Sequence, residues 1–128
     1  MALQKTVKDK VVFSGIGLHS GKDVTMTLRP ADAGTGIVFH RIDLTPSVSI
    51  DAIAKNVVNT RLSTTIGTAG AVVSTIEHLM AALSGCGIDN VHVDIDGPEV
   101  PIMDGSAAPF VQGLRKVGVR SLSRPKKY

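Results

Sequence analysis

The stretch Ser74-Thr75-Ile76-Glu77-His78-Leu79-Met80-Ala81-Ala82-Leu83-Ser84-Gly85 is where the hydrophobic period of the chain changes. Ile76, Leu79, Met80 and Leu83 stand at i, i+3, i+4 and i+7, which puts them on one stripe of a helix, and Gly85 supplies a stop. Upstream the pattern is that of strands. Val24, Met26 and Leu28 alternate with Thr25 and Thr27, giving an extended segment with one apolar face. Residues 6–13 are valine-rich and alternate weakly, Ile37-Val38-Phe39 reads as a short buried strand, and Val48, Ile50 and Ala52 alternate again. Residues 62–66 and 70–73 read as further strands. Downstream, period two returns with Val91, Val93 and Ile95 against His92 and Asp94, and Phe110, Val111, Leu114 and Val117 form a second helical stripe closed by Gly118. Strands followed by helix, strand and helix predict an α+β fold, a two-layer sandwich with two helices on one face of a mostly antiparallel sheet.

The 128 residues, 43% hydrophobic and 20% charged, fit one compact domain. That domain is expected to run over 1–118, with 119–128 a basic tail or the start of a linker. No apolar run approaches the roughly 18 residues needed for a membrane-spanning helix, and Met1 to Lys5 lack the apolar core of a signal peptide, so the cytoplasm is expected. Cys86 is the only cysteine, which excludes a disulfide or a cysteine cage for metal within these residues. The net charge of +3 is concentrated at the end, in Arg115, Lys116, Arg120, Arg124, Lys126 and Lys127. Such a cluster is either simply solvated or meets an anion, so a non-catalytic nucleic-acid-binding α+β module is the alternative reading. Only 3% of residues are aromatic, leaving few platforms on which bases stack, so no nucleic-acid partner is expected.

Several residues bear chemistry of their own. Ser74 and Glu77 match the S-x-x-E capping box, while a carboxylate at this position is also suited to taking a proton from water. At the helical repeat, His78 points about 150° away from the apolar stripe and so faces outward. A hydrolytic zinc site needs about three protein ligands and one open position. The histidines are His19, His40, His78 and His92, without an H-E-x-x-H pattern or any pair at helical ligand spacing. Productive metal binding therefore requires ligands from remote loops or from outside these residues. The run Gly15-Ile16-Gly17-Leu18-His19-Ser20-Gly21 is as glycine-rich as a phosphate cradle but leads into a strand, leaving a flexible turn or a ligand-facing loop carrying His19. Pro98 and Pro101 fix the backbone on either side of Glu99, as suits a loop holding a carboxylate against a ligand, and Asp104 and Ser106 are candidate caps for the second helix.

Together, Gly15 to Gly21, Gly36-Ile37-Val38-Phe39, Ser74 to Leu79, Gly87-Ile88-Asp89-Asn90 and Val100-Pro101-Ile102-Met103-Asp104-Gly105-Ser106 resemble, in order and spacing, the first domain of the UDP-3-O-acyl-N-acetylglucosamine deacetylase family. The resemblance covers about residues 4 to 118. It implies zinc-dependent hydrolysis of the acetamide of UDP-3-O-(3-hydroxyacyl)-N-acetylglucosamine in lipid A biosynthesis. It implies that Glu77 is the general base, that His78 is one of three zinc ligands, and that His19, Leu62 and Asp104 lie at or near the substrate. The fold it implies is two similar α+β domains of the ribosomal protein S5 domain 2-like kind, facing one another across the Zn2+. The other ligands, a histidine and an aspartate on one helix, would then belong to a carboxy-terminal domain. So would the oxyanion-stabilising threonine, the general-acid histidine and the acyl-chain passage. By itself the chain is expected to show no appreciable deacetylase activity and to bind zinc weakly or not at all.

Overall fold

The computed structural model describes residues 2–61, 63–68 and 70–126. In chain order the elements are β1 (Leu3–Val7), β2 (Val11–Ile16), β3 (Asp23–Pro30), β4 (Ile37–Arg41), β5 (Val48–Asp51), a 3-10 turn (Ala54–Asn56), β6 (Val57–Asn59), β7 (Thr65–Thr68), β8 (Ala71–Ser74), α1 (Glu77–Gly85), β9 (Val91–Ile95), α2 (Ala108–Val117) and β10 (Val119–Pro125). The main sheet runs β2-β3-β9-β4-β5. Every pairing in it is antiparallel except β4 with β9, which is parallel. Both helices contribute to one core with this sheet, giving the α+β arrangement expected from the change of period.

The alternation in β3 does what it predicts: Val24, Met26 and Leu28 are buried while Asp23 and Thr25 are exposed. With Val93 and Ile95 of β9 and Phe39 of β4, they meet Leu79 and Leu83 of α1 and Phe110 and Leu114 of α2. Burial of each such side chain contributes about 1.5–3 kcal/mol, which is why the helices are fixed to this face. Phe13 of β2 meets Phe110 edge to face, with ring centroids 5.0 Å apart. The approach depends on Gly113, where a Cβ would come within 2.6 Å of the Phe13 ring.

Three features depart from the expectation. Residues 6–13 are not one strand: the charged turn Lys8-Asp9-Lys10, where the Asp9 carboxylate accepts the Lys10 N–H, separates β1 from β2. The two strands then join different sheets, because β1 pairs with β10. Residues 119–125 are accordingly a strand rather than a free tail, and Lys126 is held by the Asp89 carboxylate and the Gly87 carbonyl. Finally, the strands form three sheets, not one: β6-β7-β8 make a small separate sheet beside the main one. In it, β7 and β8 occupy 65–68 and 71–74, against the expected 62–66 and 70–73, so β8 is nearly in place and β7 begins later.

Candidate active site

The site is organised around the corner that joins β8 to α1. At the end of β8, the Ser74 N–H donates to the Pro98 carbonyl at 2.8 Å and the Ser74 carbonyl accepts the Val100 N–H at 3.1 Å. This fastens the 98–100 connection alongside. Thr75 then takes a φ of 61°, a left-handed conformation that strains a β-branched residue by on the order of 1–3 kcal/mol. The turn leaves Ser74 in the strand, so the capping box does not form. The Ser74 hydroxyl instead accepts a hydrogen bond from Thr65 Oγ1 at 3.0 Å, and the first turn of α1 has no side-chain cap. Glu77 is the first residue of the helix; it is exposed, and its Oε1 accepts the Thr64 N–H at 2.9 Å. His78 lies off the buried stripe of Leu79, Ala82 and Leu83 and is half-buried, so it faces away from the core as its position on the helical wheel predicts.

Asp104 lies within electrostatic reach of His78. Its Oδ1 accepts the Ser106 hydroxyl at 2.6 Å and the Ser106 N–H at 2.9 Å, and the Ser106 oxygen in turn accepts the Ala108 N–H at the start of α2. The Ser106 hydrogen bonds, with a contribution from His78, hold the Asp104 carboxyl below its ordinary range. Ser106 therefore supports the helix start and Asp104 supports Ser106, a relay of the capping role expected for the pair.

On the other side of Thr75 lies a cluster centred on Glu99, which is only 4% exposed. Its carboxylate accepts the His19 Nδ1 donor at 2.7 Å, the backbone N–H groups of His19 and Ser20 at 3.1 Å, and the Thr75 hydroxyl at 2.8 Å. Burial alone would push this carboxyl up; the hydrogen bonds from Ser20, Thr75 and His19 outweigh it and hold the pKa at about 2. The glycine loop is thus an anion cradle whose anion is internal. Gly17 passes so close that a Cβ there would lie 2.4 Å from Glu99 Oε1. Nor is the loop slack, since the Gly17 N–H donates to the Lys22 carbonyl and the Gly21 N–H to the Gly17 carbonyl.

His19, Ser20 and Glu99 form one wall of an open cleft of about 450 Å³, and Asn59 and Thr65 of the small sheet, with Ser63 of the connection between them, form another. The His19 side chain is 45% exposed. Glu77 and His78 do not line this cleft; Glu77 adjoins it through its bond to Thr64, which lies between Ser63 and Thr65. Of the residues singled out in the sequence, His78 and Asp104 are therefore within electrostatic reach of each other, Glu77 reaches the cleft's far wall, and His19 is on its near wall. Leu62 lies outside the described residues. What the sequence did not reveal is that Glu99 turns inward and that Thr75 is the strained pivot. The paired prolines around Glu99 were the one visible signal.

Residues 4–128 match the family described as UDP-3-O-acyl N-acetylglycosamine deacetylase. The chain belongs to this family. Over 128 residues it is 75% identical to the UDP-3-O-acyl-N-acetylglucosamine deacetylase of Geotalea uraniireducens (strain Rf4). It is 71% identical to the proteins of that name from Geobacter sp. (strain M21) and Citrifermentans bemidjiense. Each match takes in all of this chain and 42% of the relative, so the chain spans about two fifths of their length.

The donors present fit a metal only in part. Among the described residues, no three His, Cys, Asp or Glu side chains come together as a set able to hold a metal ion. His19 Nδ1 is taken up by Glu99. His40 and His92 bond to each other at 2.9 Å, and they alternate with the core residues Phe39, Val91 and Val93, so they sit on the sheet face away from the helices. The His78 ring makes no hydrogen bond among the described residues and lies within electrostatic reach of Asp104, and His19 still has its Nε2 toward the cleft, so each offers at most one nitrogen to a ligand. A tetrahedral zinc site needs more than this.

Proposed function

We propose that this chain forms the amino-terminal part of a zinc-dependent deacetylase that removes the acetyl group from UDP-3-O-(3-hydroxyacyl)-N-acetylglucosamine in lipid A synthesis, and that it contributes the base and one metal ligand. The observation that carries the reading is the pair Glu77 and His78, adjacent in the first turn of α1 and outside the core, in a chain of this family. Neither side chain is used by the capping box that would otherwise explain the sequence here.

In this reading His78 is one Zn2+ ligand, and the remaining ligands come from a carboxy-terminal domain of the same enzyme. Bound zinc supplies Lewis acidity toward the acetamide carbonyl and toward water. Glu77, exposed and with only Oε1 engaged among the described residues, takes the proton of the attacking water as the carbon–oxygen bond forms, and the carbon–nitrogen bond then breaks with a proton delivered to the leaving amine by an acid of the carboxy-terminal domain. Its bond to the Thr64 N–H fixes the carboxylate against the small sheet. The hydroxyl and amide groups of Asn59, Ser63 and Thr65 offer hydrogen-bond partners suited to the sugar. His19 faces the same space.

In the complete enzyme, Glu77→Ala is expected to cut turnover of the acylated nucleotide sugar by roughly 10²- to 10⁴-fold while leaving metal content largely intact. His78→Ala is expected to lose zinc. Equal loss of metal in the two variants would refute this division of roles. The nucleic-acid alternative finds less support, because its basic segment is a paired strand ending in an ion pair between Lys126 and Asp89.

A further inference from the structure

Glu99 takes no part in the chemistry proposed above, yet it is the one buried acidic residue among the described residues. Three segments remote in sequence meet on it: the loop after β2 through His19 and Ser20, the corner before α1 through Thr75, and its own proline-flanked connection. From this geometry we infer that Glu99 is a positioning residue of the active site. It holds the His19 ring in the Nδ1–H form, so that Nε2 is the proton-accepting nitrogen offered to the cleft, and it holds Thr75 in the turn from which Glu77 and His78 start.

The chemistry of the contacts leads to this. An ionised carboxylate only accepts hydrogen bonds, so the ring nitrogen 2.7 Å from Glu99 Oε2 must be a donor. In a neutral imidazole the other nitrogen is then unprotonated and accepts. Glu99 has no room to move away, since Gly17 leaves no space for even a Cβ beside Oε1, and the main chain on both sides is fastened to Ser74. A histidine serving only to fill the core would be enclosed. The His19 ring instead stands between a buried carboxylate and open space, 45% exposed on a cleft wall. One buried charge thereby fixes the direction of a cleft-facing acceptor, suited to a substrate hydroxyl, and the starting point of the helix that carries the base and the ligand. The catalytic purpose of this arrangement rests on the deacetylase reading; the orientation of the ring does not.

Long-range ¹H–¹⁵N correlation spectra of the histidine rings in the 128-residue chain, recorded at mildly alkaline pH, test the orientation. The expected result is an Nδ1–H tautomer for His19, lost in Glu99→Gln with the circular dichroism spectrum kept, and retained in Thr75→Val. An Nε2–H ring in the unaltered chain, or an unchanged His19 pattern in a folded Glu99→Gln chain, overturns the inference. Should Glu99→Gln fail to fold, the spectrum of the unaltered chain decides. In the complete enzyme, Glu99→Gln is expected to lower kcat at least as much as His19→Gln, because it also loosens Thr75, and the double variant no further than Glu99→Gln alone; fully multiplied losses overturn the coupling. Absence of turnover by the unaltered complete enzyme would instead sink the deacetylase reading, with the ring orientation still decided by the spectra.

Discussion

Two regions on either side of Thr75 handle polar groups in opposite ways. Around Glu99, a buried carboxylate has four donor groups and a backbone fastened by neighbouring strands, so its charge is satisfied inside the domain. Around Glu77 and His78, the helix start lacks a cap, one side chain is exposed and the other half-buried, and the bond to Thr64 is the single hydrogen bond either side chain makes among the described residues. The first region serves the fold and aims the second. The second leaves its binding capacity unspent, as a group that must meet a metal or a substrate has to do. A strained Thr75 between them, held by the hydroxyl bond to Glu99, joins the two.

If that contrast is right, stability and activity separate by region. The largest structural effect is expected for Glu99→Ala, which strips acceptors from two partly buried backbone N–H groups, a ring nitrogen and the buried Thr75 hydroxyl. With each unsatisfied donor costing about 1–3 kcal/mol, a loss of roughly 3 kcal/mol or more in urea unfolding is expected. A smaller but related effect comes from acid. The folded pKa of Glu99, about 2, is depressed from 4.5, so its contribution is fully present above about pH 4.5 and is lost as pH falls toward 2. By linkage this amounts to roughly 3 kcal/mol at most, visible as an acid limb of the stability curve that flattens in a folded Glu99→Gln variant. The smallest effects belong to the other region: Glu77→Ala and His78→Ala should each leave thermal unfolding of the chain within about 0.5 kcal/mol of the parent. A large destabilisation by either would mean that these side chains serve the fold, and the contrast would fail.

How much of this was legible in the sequence follows from where the information lies. The stripe Ile76, Leu79 and Leu83 and the alternation Val24, Met26 and Leu28 gave the layers correctly, because helical and extended periods are local. Pairing between distant segments is not local. Nothing in Val119–Pro125, whose residues are largely exposed, announces that Leu3–Val7 is its partner, and nothing in β9 announces that it will lie between β3 and β4. The site divides in the same way. His78 was readable as outward-facing from its angle on the helix alone. Glu99 was visible as a carboxylate between prolines, but its inward turn depends on Gly17, His19 and Thr75 closing around it from elsewhere in the chain. The capping box was misread for a related reason: the left-handed turn at Thr75 puts Ser74 in a strand, and tertiary contacts overrode a local motif.

The central claim is that this chain supplies a base and one ligand to a metal site completed by another part of the enzyme. Calorimetric zinc titration of the 128-residue chain, alone and then mixed with the carboxy-terminal part of the Geotalea uraniireducens relative, tests it most directly. The account predicts weak or undetectable binding alone, and tight one-to-one binding in the mixture that disappears with His78→Ala. Tight stoichiometric binding by the chain alone, or binding in the mixture indifferent to His78→Ala, would contradict it.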